Sequence, residues 1–114
     1  MLECRRIMVL EVRLASTPPL YLVAYSRYLT VDLWAPGAYI PSLWVTSDTA
    51  VNTLSGNSMA AAHIAGLGAY FLALEGPRTA VGLCNRMREV ATQNALSGIP
   101  AGTANLLAYN LSGL

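Results

Sequence analysis

Apolar positions follow two regimes along this chain. Up to Leu54 they come in short runs broken by turn formers, and from Asn57 onward they form longer helical stretches. Ile7 to Leu14 reads as a strand or a short helix and ends at Ser16-Thr17-Pro18-Pro19. Tyr21 to Leu29, YLVAYSRYL, is β-branched and aromatic enough for a strand. TVDLWAPG, from Thr30, is a short apolar run closed by the turn signal Pro36-Gly37. AYIPSLWV, from Ala38, reads as extended, with Pro41 suited to an edge position. TAVNTLSG, from Thr49, alternates polar and apolar residues as a half-buried strand does.

A long helix is predicted over about 57–74 and stops at Gly76-Pro77, a C-cap glycine followed by a residue that cannot continue a helix. A second helix is predicted over about 78–92, with Pro77 able to open it. Ala80, Cys84, Met87 and Ala91 fall on its apolar face, and Arg78, Asn85, Arg86, Arg88 and Glu89 occupy the rest. SGIPAGTA, from Ser97, is a loop, and NLLAYN, from Asn105, is a short C-terminal strand. The pattern is mixed α/β, with strands first and two helices behind them.

Composition sharpens this picture. Hydrophobic residues make up 54% of the 114 residues and charged ones 11%. A domain this small has a large surface for its volume and should carry more polar surface, so the chain reads like the interior of something larger. The net charge of +1 and the lack of a basic stripe argue against nucleic acid. Cys4 and Cys84 suffice for one disulfide but not for a metal site, and the lone His63 has no cysteine at ligand spacing. No cluster of carboxylates suggests calcium, and neither metal nor cofactor is expected. The apolar run near the N-terminus is interrupted by Glu11 and Arg13, which leaves no clear signal peptide.

The central helix admits three readings. Met59 to Leu74 is apolar apart from His63, but those sixteen residues fall short of the roughly 20 that a bilayer span needs. No membrane partner is therefore expected. A core helix capped by Ser55 or Asn57 accounts for the polar residues at its mouth. The third reading is nucleophilic catalysis by Ser58. A serine in the first helical turn offers its own unpaired backbone N–H, in the positive field of the helix end, to an oxyanion formed by attack of its hydroxyl. Gly56 lets a substrate chain approach, and Asn57 adds a polar side chain beside it. His63 lies five residues on, so at about 100° per residue it points roughly 140° away from Ser58. It is a packing residue on this geometry, not the base of a triad.

SGNSMAAAHIAG, Ser55 to Gly66, resembles the nucleophile motif of the subtilisin-like serine proteases, commonly S-G-T-S-M-A-x-P-H-V-A-G. VDLWAPGAYIPSLWV is similar to that family's V-D-I-F-A-P-G segment and the strand after it. LCNRMREVATQNALSGIPAGTANLLAYN is similar to the C-terminal helix, loop and last strand of its fungal proteinase K-like branch. The resemblance divides the chain into an unmatched segment, 1–25, and a C-terminal part of a peptidase domain, 26–114. It implies a parallel sheet flanked by helices, a buried helix at 57–74, Ser58 as nucleophile with its N–H as an oxyanion donor, and Gly56 and Asn57 beside the substrate. It also implies an extracellular protein that cleaves peptides or proteins. Cys84 stands where the branch can carry a disulfide cysteine with an upstream partner, and Cys4 is the only candidate here.

The departures bear on activity. Asn57 replaces threonine and Ala62 replaces proline. The 114 residues contain no D-T-G or D-S-G motif, no H-G-T motif and no A-A-G-N motif, which in the family supply the catalytic aspartate, the catalytic histidine and the oxyanion asparagine. Asp32 belongs to the VDLWAPG segment, which carries no triad role in the family, and Asp48 lies in a loop with nothing to pair it to a histidine. Trp34 and Trp44 read as packing aromatics. Two expectations stand side by side: part of an endopeptidase that is inactive on its own, or a non-catalytic remnant or interaction protein. In either case, exposed apolar surface predicts aggregation of the isolated chain.

Overall fold

The structure, a computed structural model, describes residues 7–10, 31–99 and 101–112. The strand expected at Tyr21–Leu29, the continuation of the first element beyond Leu10, and Cys4 lie outside the described residues. Six strands and two helices follow in the order β1 (Ile7–Leu10), β2 (Leu33–Pro36), β3 (Ile40–Leu43), β4 (Val51–Leu54), α1 (Asn57–Glu75), α2 (Ala80–Val90), β5 (Thr92–Gln93) and β6 (Leu106–Leu107). The expected α/β architecture with a parallel sheet is present. The main sheet runs β1-β2-β6-β5, with β1 and β6 parallel to β2 and β5 antiparallel to β6. A separate antiparallel pair, β3 and β4, sets Ile40 opposite Leu54 and Leu43 opposite Val51.

β2 is the centre of the fold because its residues bury side chains on both faces, as a covered parallel strand must. Leu33, Trp34 and Ala35 are each 0% exposed. Leu33 and Ala35 join the larger core with Ala60, Ile64, Phe71, Met87 and Ala91 from the helical side. Trp34 joins the smaller one with Val31 and Leu96. Its indole Nε1–H donates to the Ala104 carbonyl at 2.8 Å, so the one polar atom of this buried ring is satisfied. Asn105 closes the following loop on itself: its Oδ1 accepts from Leu96 N–H at 3.1 Å and its Nδ2 donates to Leu96 O at 2.7 Å.

α1 forms over nineteen residues and buries Ala60, Ile64, Gly68 and Phe71, a single stripe at helical spacing. The rest of this apolar helix is exposed or half-buried in the chain as it stands. Gly68 marks the crossing with α2, because a Cβ there would meet Leu83 Cδ2 at 3.3 Å. Gly76, at φ 88°, ends the helix and returns its N–H to Leu72 O at 3.1 Å. Including Asn57, Ser58 and Glu75, α1 is long and apolar enough to cross a membrane by composition alone, which corrects the argument from a sixteen-residue run. Its buried stripe is nevertheless seated on β2 within the larger core.

Three local expectations change. Neither Ser55 nor Asn57 caps α1. The N-cap is Gly56, with no side-chain bond, because the Ser55 hydroxyl instead accepts the Tyr39 N–H at 2.8 Å. α2 begins at Ala80 behind Thr79, whose Oγ1 accepts the Gly82 N–H at 3.0 Å, and it ends at Val90. Ala80 is exposed, so the buried face of α2 and the residue after it is Cys84, Met87 and Ala91. β4 is not half-buried: Val51, Thr53 and Leu54 are exposed, since among the described residues it has only β3 beside it.

Candidate active site

The turn that carries Ser58 is built from two segments far apart in sequence. Gly56 N–H donates to Gly37 O at 2.7 Å, and Tyr39 N–H donates to Ser55 Oγ at 2.8 Å. The end of β2 therefore fixes the entrance of α1. Gly56 adopts φ 156° and ψ 169°, a region open essentially to glycine alone. A Cβ there would find room, with Met59 Sδ nearest at 3.7 Å, so the need for glycine is conformational rather than steric.

Gly56 O accepts from Met59 N–H at 3.1 Å and from Ala60 N–H at 3.4 Å. Ser58 precedes both as the second helical residue. Its side chain is exposed, and among the described residues its N–H and hydroxyl have no partner. The first turn holds no acidic residue, so the positive field of the helix end, equivalent to roughly half a charge, is not cancelled locally. Asn57, also exposed, stands directly before Ser58. An exposed hydroxyl and an unspent N–H on one residue are the elements of a nucleophile that also helps hold the oxyanion it creates.

His63 is engaged elsewhere. Its Nδ1 lies 2.9 Å from Met59 O, a bond that requires the proton on Nδ1. The ring lines a cleft of about 410 Å³ together with Pro36, Gly66, Leu67, Tyr70 and Asn110, among others, and none of Gly56, Asn57 or Ser58 borders that cleft. Asp32 lies 3.8 Å from Arg88, and Asp48 sits exposed in the loop between β3 and β4. Among the described residues no group of three His, Cys, Asp or Glu side chains could hold a metal. Cys84 is buried and disulfide-bonded, while Cys4 lies outside the described residues. Trp34 is core, and Trp44 is partly exposed.

The most strongly coupled charges lie at the opposite end of α1, about 25 Å from Ser58 at 1.5 Å per residue. Arg86 reaches from α2 to Glu75 with three hydrogen bonds of 2.9 to 3.1 Å, and Arg78 adds one at 2.8 Å. Arg86 also donates to Glu89 at 3.0 Å. The Arg86 guanidinium holds the Glu75 carboxyl below its usual value of 4.5, and Glu75 and Glu89 together raise Arg86. This cluster clasps the two helices, far from Ser58. The sequence shows its charges but not the convergence across the Gly76-Pro77 turn that joins them. The clasp between Ser55 and Tyr39 was equally hidden, because it links positions sixteen residues apart.

No family model matches the chain. Among curated relatives, it is 48% identical over 88 residues to a cuticle-degrading protease of Metarhizium anisopliae, covering 76% of this chain and 22% of that protein. It is 52% identical over 88 residues to the subtilisin-like serine protease AsES of Sarocladium strictum, with the same two shares. It is 47% identical over 97 residues to alkaline protease 1 of Emericella nidulans, covering 84% of the chain and 24% of the relative. The crystal structure of a cold-adapted subtilisin-like serine proteinase superposes with a TM-score of 0.65 at 38% identity, covering 73% of this chain and 29% of that one. The chain thus spans about a quarter of the length of the relatives it matches. The motifs around Ser58, the parallel β2 with α1 packed on it, and these identities agree: the chain belongs to the subtilisin-like serine protease family, of which it carries a C-terminal portion.

Proposed function

We propose that Ser58 is the nucleophile of a serine-type endopeptidase site and that these 114 residues alone do not complete it. The observation that carries this reading is the placement of Ser58, with a free hydroxyl and a free N–H in the first turn of α1 behind a glycine-only turn. In the completed site a base from outside these 114 residues removes the Oγ proton. Oγ then attacks the carbonyl carbon of a peptide bond, and the carbonyl oxygen becomes an oxyanion facing the Ser58 N–H. Collapse expels the amine, which takes up the proton held by the base, and leaves an acyl-enzyme. Water then attacks the ester and frees both the acid and Ser58. Gly56 keeps the approach to the carbonyl unobstructed.

The base cannot be His63, whose Nδ1 is bound to the Met59 carbonyl and which lies far round the helix from Ser58. Neither Asp32 nor Asp48 is placed to orient one. Proteases among the relatives support peptide or protein substrates, and the family resemblance supports an extracellular location. The exposed apolar face of α1 favours a second reading, a non-catalytic interaction protein. Purified chain incubated with a chromogenic peptide and a fluorophosphonate probe separates activity from incompetence. The expected result is no turnover above buffer and negligible labelling. Labelling of Ser58 at a rate near that of an intact subtilisin-like protease would falsify the claim of incompetence.

A further inference from the structure

The segment after β6 carries a motif that the chemistry of Ser58 does not use. Of the six asparagines in the sequence, Asn110 alone has a serine or threonine two residues on, in Asn110-Leu111-Ser112. Asparagine, any residue but proline, then serine or threonine is the acceptor pattern for N-linked glycosylation. A three-residue pattern recurs by chance, so geometry and setting decide its worth. Asn110 Oδ1 accepts the Ser112 hydroxyl at 2.7 Å and the Ser112 N–H at 3.1 Å. The three residues thus close an Asx turn. Leu111 permits it by adopting φ 59°, which turns the chain back on Asn110. A backbone N–H can only donate, which fixes Oδ1 as the atom inside the turn and leaves Nδ2 outside it. Among the described residues Nδ2 has no hydrogen-bond partner, and Asn110, Leu111 and Ser112 are all exposed. The amide and the hydroxyl therefore share one accessible turn. The setting agrees: Cys84 is disulfide-bonded, and disulfides persist in the oxidising compartments of the secretory route, where such glycans are added.

We propose that Asn110 is an N-glycosylation site. The donor is a lipid-linked oligosaccharide diphosphate, and the catalyst is a transferase that takes the asparagine amide and the serine hydroxyl together. Nδ2 attacks the anomeric carbon of the first sugar. The bond from that carbon to Nδ2 forms as its bond to the phosphate oxygen breaks. The lipid diphosphate leaves with the electron pair, and Nδ2 gives one proton to a base of the transferase. The site stands apart from Ser58: the cleft that Asn110 lines is bordered by none of Gly56, Asn57 and Ser58.

The test produces the full chain behind a secretion leader in a eukaryotic host and analyses the product from which the leader has been removed. The leader itself delivers Asn110 to the lumen, so the outcome hangs neither on the native route nor on Ser58. A slowly migrating band is expected, returning to the size of the bare chain with peptide N-glycosidase. Release in heavy-oxygen water should leave one labelled aspartate, at position 110. Asn110→Gln and Ser112→Ala should abolish the shift, and Ser112→Thr should keep it. Leu111→Pro should abolish it although both functional side chains remain. All three positions are exposed, so these variants spare the core. The inference is overturned if the processed chain runs unshifted, if the label falls on another residue or on none, or if Ser112→Ala keeps its glycan. Ser58→Ala should be modified as fully as the parent, which separates this site from the reading of Ser58.

Discussion

α1 and α2 are neighbours joined by a short turn, yet they are written for different surroundings. α2 places Cys84 and Met87 on the core and Arg86, Arg88 and Glu89 outward, so its polarity matches the solvent it meets. α1 carries one buried stripe and then continues apolar into solvent. Helix propensity and capping explain α2 almost completely. For α1 they explain the helix but not its outer face, which stays apolar where it is exposed among the described residues. The same split runs through chemistry: α2 and the end of α1 hold the satisfied charges, and the start of α1 holds the unspent hydroxyl and N–H of Ser58.

Substitutions should reveal this contrast in graded form. The largest effect belongs to the buried stripe: Phe71→Ala removes a fully buried ring and should cost about 3–5 kcal/mol, read as a lower urea midpoint. Thr79→Ala removes the side-chain cap of α2 and should cost about 1 kcal/mol in the same measurement. Glu75→Gln should cost less than the cap, because the clasp it makes with Arg86 is near the surface and screened by salt. Its effect should depend on pH. Arg86 holds the folded-state carboxyl below 4.5, so the contribution is complete above that value and disappears as pH falls through the lowered one. Parent and variant melts should therefore converge in acid, and equal separation at all pH values would assign the loss to packing. At the small end, Ala69→Glu on the exposed face of α1 should change the free chain by less than about 0.5 kcal/mol. A large loss there would mean that this face is already covered, and the contrast between the helices would fail.

Much of the fold was legible because it depends on local pattern. The stop at Gly76-Pro77, the Cys84, Met87 and Ala91 part of the apolar face of α2, and the extended runs at Leu33–Pro36 and Ile40–Leu43 follow from spacing and turn residues. What escaped depends on distant partners. Ser55 looked like a cap because serine favours that position, but the Tyr39 N–H claims its hydroxyl, and Gly56 takes the cap through a conformation that only glycine reaches. The two-residue pairing of β5 with β6 and the closure of the loop by Asn105 are set by tertiary contacts with no periodic signal. Periodicity could place Ser58 on a helix mouth, but only the motif around it pointed to attack on a peptide bond. Helical geometry alone was enough to turn His63 away from it.

The proposed chemistry stands or falls on Ser58. The most direct measurement is peptide-resolved mass spectrometry of the fluorophosphonate adduct, on the free chain and on the chain combined with the N-terminal portion of a subtilisin-like domain. The predicted result is an adduct confined to Ser58 that forms only in the combined sample and is lost with Ser58→Ala. An adduct on another residue, or equal labelling of Ser58 in the free chain, would contradict it.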